Sequence, residues 1–235
     1  MVITLQDVVN WARTQIKMIP LVGVGGFTNE PALTLCNMVL QEVLSGGIDP
    51  LGKSVGPFPW KWNRKEATPF DTVEYQQDYS TTVSDLGWLE SCEIEDKNST
   101  AIPKPRQAID VVRSLPKDSA RGGPPQAICW NLDNTSGYVI WRVRPTPSGT
   151  IYTVYPVYQQ KPIIKTALSQ NWAPIPDECA YVYRQGLLAM AKKHAGQDWA
   201  SEYQIFQAMI KKALGIADAE QQSQGFVPER SILLG

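Results

Sequence analysis

The sequence predicts an α+β fold, in which N- and C-terminal helices form a helical bundle with an inserted antiparallel β-sandwich. Three observations carry this. Apolar residues recur at helical spacing near both ends of the chain. The middle is built of short β-branched and aromatic runs separated by Pro, Gly, Asn and Asp. The most distinct of these, Tyr138 to Pro162, reads as two strands, Tyr138 to Val143 and Ile151 to Tyr158, around a Pro145, Pro147, Ser148, Gly149 gap. That pair is expected to form a hairpin. Both faces of its second strand are apolar, and Pro156 places the strand at a sheet edge or gives it a bulge.

In chain order, Thr4 and Asp7 make a capping-box start for a first helix, with Val8, Ala12, Ile16 and Ile19 on one face. Pro20 and the glycines at 23, 25 and 26 end it. A second helix starts near Thr28 or Asn29, carries Leu33, Cys36, Leu40 and Val43, and stops at Gly46-Gly47, so the two read as an antiparallel pair. The glycines of GVGGF match neither dinucleotide nor P-loop spacing. From Pro50 the character shifts, and strands are expected at 70–75, 79–83, 86–95 and 127–132. Within 97–126 only Ile109 to Val112 reads as ordered. Asp177 is a good N-cap for a helix bearing Cys179, Val182, Tyr183, Leu187, Met190, Ala191 and His194. Asp198 caps the last, with Trp199, Tyr203, Phe206, Ile210 and Ala213 as its stripe up to Gly215. The expected organisation is a discontinuous helical domain of 1–56 and 165–218, a β insertion of 57–164 and a C-terminal extension of 219–235.

At 235 residues the chain can bury a core without staples. Its net charge of −1 gives no sign of a nucleic-acid patch or an acidic tail. Cys36, Cys92, Cys129 and Cys179 are far apart with no C-x-x-C pair and read as buried thiols of a reducing compartment. A lone His194 removes two-histidine metal sites, no Ser lies in G-x-S-x-G, and Glu93, Glu95 and Asp96 read as a solvated turn. No enzyme and no cofactor is expected. Trp60 and Trp62 alternate with Lys61, Arg64 and Lys65, which suits stacking on bases or sugars, or a core-facing pair on an extended strand.

Several stretches resemble the head-to-tail adaptors of tailed bacteriophages, in particular the tail tubular protein A, or gateway, group of short-tailed phages. They are FPWKWNRKEATPF at 58–70 with Asp78-Tyr79, RPTPSGTIYTVYPVYQQKP at 144–162, IPDECAYVYRQGLLAMA at 175–191 and WASEYQIFQAMIKKAL at 199–214. The resemblance covers about half of the chain. It implies a structural virion protein of the neck, assembled in the host cytoplasm. This would be a ring of about twelve copies beneath the portal, with a nozzle, stopper or tail-tube protein below, double-stranded DNA passing through the lumen and no membrane contact. It also implies that the C-terminal segment docks on the portal through Phe226, Val227, Pro228, Arg230, Ile232, Leu233 and Leu234. Tyr152, Tyr158, Trp60 and Trp62 are the candidates for subunit or tail contacts. The alternative is a binding module of a phage tail, a sandwich holding a protein or a glycan, the latter through Trp60, Trp62 and Trp141.

Overall fold

The computed structural model describes residues 2–16, 20–23, 28–117 and 122–223, with side chains as far as residue 215. The chain divides into two compact units, one of Met1–Trp62 with Pro162–Gly235 and one of Asn63–Lys161. The class is α+β, with the strands of the second unit inserted between helical segments of the first.

The first unit holds α1 (Leu5–Gln15), α2 (Ala32–Ser45), α3 (Ala180–His194) and α4 (Ala200–Ser223), with a ribbon of β1 (Gly47–Ile48) and β2 (Ser54–Val55). Thr4 caps α1 as a full capping box, its hydroxyl accepting from the Asp7 amide at 3.2 Å while the Asp7 carboxylate accepts from the Thr4 amide at 2.9 Å. Leu5, Val8, Val9 and Ala12 are buried. The expected antiparallel partnership of α1 and α2 is secondary, because both pack chiefly on α3, which also carries α4. Helix α3 is therefore buried on several sides. Gly186 makes this close packing possible: a Cβ there would stand 2.8 Å from both Phe206 of α4 and Val39 of α2. Trp172 stacks on Tyr183 of α3 with parallel rings 4.4 Å apart, both fully buried.

The two ends of the chain close this unit together. The amides of Leu5 and Gln6 donate to the carbonyls of Gln170 and Leu168, each at 2.9 Å, and the Trp172 indole donates to the Thr4 carbonyl at 3.3 Å. Two expectations change here. Asp177 does not cap α3, which begins from a 3-10 turn over Asp177–Cys179; its carboxylate faces the Ile3 amide at 3.4 Å instead. Gly215 does not end α4, which runs on to Ser223, because one glycine costs only about 1 kcal/mol and Ala, Glu and Gln follow it.

The described residues of the second unit form a sheet of eight strands: β3 (Arg64–Glu66), β4 (Phe70–Asp71), β5 (Asp78–Ser80), β6 (Leu86–Asp96), β7 (Arg106–Val111), β8 (Ala127–Leu132), β9 (Val139–Arg144) and β10 (Tyr152–Gln160). Their order is β3-β10-β6-β7-β8-β9-β5, with β4 also on β10. Pairing is antiparallel except for β7 with β8. The strands form one hydrogen-bonded path that curls, and the Phe70 and Tyr79 rings, 4.8 Å apart, bring its margins together. Trp141, Ile128, Val139, Val143 and Val154 fill the enclosed core.

The expected hairpin does not form. Strands β9 and β10 exist nearly where expected, but three strands separate them. Their connection is no tight turn: it bridges from Thr146 to Gly122 and arrives beside β6, where the Lys97 amide donates to the Ile151 carbonyl at 2.9 Å. The parallel pair is equally non-local, since such a pair needs a crossover of a dozen or more residues, and 112–126 provides it. Pro156 sits in an interior strand. Its carbonyl accepts from the Ala67 amide in the break between β3 and β4, so the missing N–H faces a gap, and the bulge falls beside it at Val157/Tyr158.

Candidate interaction surfaces

In the helical unit the β1–β2 ribbon leaves α2 at Gly46. A Cβ at Gly46 would lie 2.1 Å from the Val55 carbonyl oxygen, and one at Gly56 would lie 2.6 Å from the Gly46 Cα, so the two strand roots cross as closely as backbone allows. Glu42 occupies the space that Gly47 leaves, and its carboxylate accepts from the Tyr203 hydroxyl at 2.7 Å. Burial raises the Glu42 carboxyl against the opposing effect of that hydrogen bond. Asp49 shapes the ribbon's tip, accepting from the amides of Leu51 at 2.9 Å and Lys53 at 2.8 Å. The tip holds Ile48 and Leu51 in solvent, 62% and 79% exposed.

Between this tip and α4 lies a groove of about 270 Å³, walled by Asp49, Pro50, Leu51 and Val55 on one side and by α4 residues from Tyr203 to Lys211 on the other. Gln207 lines it. This side chain is 9% exposed and lies against Tyr203, and among the described residues its Oε1 and Nε2, both shielded from solvent, meet no well-aligned partner. Residue types alone did not single out this groove, because a two-residue strand has no period to read; the signal available was Asp49-Pro50-Leu51-Gly52, a turn with a large apolar residue at its tip.

On the sheet unit a polar pocket of about 360 Å³ lies over β10, β6 and β3. The Arg106 guanidinium stands 3.9 Å from the centre of the Tyr155 ring and 3.7 and 3.8 Å from Glu93 and Glu95. Asp96 accepts from Asn98 and Thr150 instead. The carboxylates considered from sequence are thus satisfied by neighbours, as surface ion pairs and turn bonds.

The four aromatic candidates separate into two pairs. Trp60 is 1% exposed and donates its indole N–H to the Val43 carbonyl at 2.7 Å; Tyr158 is 2% exposed and donates to Asp85 at 2.7 Å. Both are core side chains of their own units. Trp62, 4.9 Å from Trp60 between ring centres, and Tyr152 keep part of their surface in solvent. Trp60 sits at the edge of a 3-10 turn over Lys61–Asn63 rather than on an extended strand. Trp141 is fully buried, so Trp60 and Trp141 offer no ring face to a sugar. The expected portal anchors Phe226, Val227, Pro228, Arg230, Ile232, Leu233 and Leu234 lie outside the described residues.

Among the described residues no three of His, Cys, Asp and Glu come together as a metal ion would need, and no helix is long and apolar enough to cross a membrane. Cys36, Cys92 and Cys129 are buried, and burial raises their thiols, Cys92 to about 12, which is the opposite of what a nucleophile requires. His194 is exposed at the end of α3. A search of the curated proteins found no match. A family model described as SU10 adaptor protein matches residues 7–230, which span both helical segments and the inserted sheet, and the chain accordingly belongs to this family of phage adaptors, structural components of the virion.

Proposed function

We propose that the protein is a head-to-tail connector of the gateway type: a ring of about twelve copies between the portal and the tail that conducts the genome through its lumen. The observation that carries this is the family match across residues 7–230, with helical and sheet parts included. The physical features agree with it. A near-neutral chain lets DNA pass without holding it, and a surface rich in half-buried aromatics suits contacts between copies. The solvent-facing parts of Trp62 and Tyr152 serve subunit or tail contacts. The apolar end of the chain, Ile232 to Leu234, engages the portal.

Imaging of the protein mixed with its portal tests this reading. The expected result is a ring coaxial with the portal; a chain that stays monomeric and binds no portal would contradict it.

A further inference from the structure

Among the described residues nothing fills the groove beside the β1–β2 ribbon, and the chain contains a segment suited to it. Its floor and walls are apolar at Pro50, Leu51, Val55 and Ala208, and its polar side chains include Asp49, Gln204 and Lys211. The segment at 226–230 reads FVPER: an aromatic residue, a proline that favours extended backbone at the preceding residue, and an adjacent acid and base that complement Lys211 and Asp49.

The length of α4 decides whose segment can enter. The helix continues to Ser223, sixteen residues beyond Gln207, a distance of about 24 Å at about 1.5 Å per residue. Even Lys211, the nearest groove residue, lies about 18 Å back along the axis. The three-residue step from Ser223 to Phe226 spans at most about 10 Å. A chain therefore cannot seat its own Phe226 in its own groove.

From this geometry we infer that the groove of one copy receives Phe226 of a neighbouring copy, with Glu229 at Lys211 and Arg230 at Asp49, leaving Ile232 to Leu234 beyond the groove. The contact is heterologous, tail into groove, and repeats around a ring. It deepens the ring reading above and rests on it. A buried aromatic anchor at the centre of such a contact carries much of its strength.

The test mixes two variants of the full chain, one with Leu51→Cys and one with Val227→Cys, under mild oxidation. The inference expects a disulfide-linked pair of chains in the mixture, and no such pair when the second variant also carries Phe226→Ala. It further expects Phe226→Ala alone to raise the concentration needed for assembly at least tenfold. Rings that form with no cross-link would overturn the inference and leave the ring reading standing. Phe226→Ala rings that assemble normally but lose the portal would assign the whole segment to the portal and overturn it too. A chain carrying both cysteines that closes only on itself would make the occupant its own tail. Absence of any ring from the unaltered protein, with or without portal, would remove the ring reading and the inference together.

Discussion

The helical unit is made from the two ends of the chain, and the sheet unit from its uninterrupted middle. In the helical unit the binding is apolar and central: α3 is enclosed, Trp172 and Tyr183 stack at its flank, and the backbone of 3–6 ties onto 168–177. In the sheet unit an apolar interior is accompanied by polar clasps between neighbouring strands. Arg142 grips Asp78 through two donors at 2.6 and 2.9 Å, and Asp85 collects Lys65, Tyr158 and Gln160. The first unit therefore needs both of its chain segments present before it has a core, whereas the second adds ionised carboxylates between its strands to an apolar interior.

The largest effects should come from emptying each core separately. Trp172→Ala and Trp141→Ala each remove a fully buried indole and should cost about 3–5 kcal/mol. Hydrogen exchange followed by residue should show Trp172→Ala exposing amides of α1 and α3 while β8 and β9 stay protected, and Trp141→Ala doing the reverse. Uniform loss of protection in either variant would break the distinction between units. Next, Gly186→Val forces a branched side chain between Phe206 and Val39, and should lower stability by about 1–3 kcal/mol, read as an earlier thermal transition confined to the helical unit.

Acid should separate the units with a smaller effect. Burial alone would raise the Asp85 carboxyl, but hydrogen bonds from Lys65, Tyr158 and Gln160 outweigh it and hold the group at about 2 against an ordinary 3.8. A depressed carboxyl stabilises the fold above the unfolded value, and that contribution, about 1–2 kcal/mol after allowing for its partial exposure, is lost as pH falls from about 4 to about 2. In the helical unit Asp7 and Glu202 are also lowered, by hydrogen bonds from Thr4 and Lys192, but Glu42 has the opposite sign, since burial raises it and protonation relieves a buried charge, whereas Asp71, Asp78, Asp85 and Asp133 of the sheet unit are all lowered. Sheet amides should therefore lose protection first on acidification, and Asp85→Asn should remove that pH step. The smallest effect is a gain: Gly215→Ala, with open space around its Cβ inside α4, should add about 0.5–1 kcal/mol to the helical unit, seen as a raised Tm.

The same division governs what the sequence reveals. Helix periodicity is local, so the stripes of Val8 and Ala12, of Cys36, Leu40 and Val43, and of Tyr203, Phe206 and Ile210 are legible and buried, while Leu33 and Trp199, at the first positions of their stripes, are half-buried. Strand positions are legible in part: β8 falls on the expected residues and β6 nearly so, whereas the strands expected at 70–75 and 79–83 shrink to Phe70–Asp71 and Asp78–Ser80. Strand partners are not. Which strand lies beside β10 depends on Cys92, Ile94 and Leu89 facing it across sixty residues, and no turn signal encodes that. The aromatic interface candidates show the same limit, because Tyr and Trp serve cores and interfaces alike and only burial separates Tyr158 from Tyr152. The groove was invisible for a further reason: it needs the ribbon tip and the face of α4, which lie some 150 residues apart in the chain.

The most direct test of the account is the mass of the full-length protein in solution, alone and with its portal, by native mass spectrometry alongside imaging. The account predicts one closed ring at a whole multiple of 26.1 kDa, formed by the protein alone or on the portal, and lost on Phe226→Ala at concentrations where the unaltered chain assembles. A single-chain mass that persists at every concentration and in the presence of portal would contradict it.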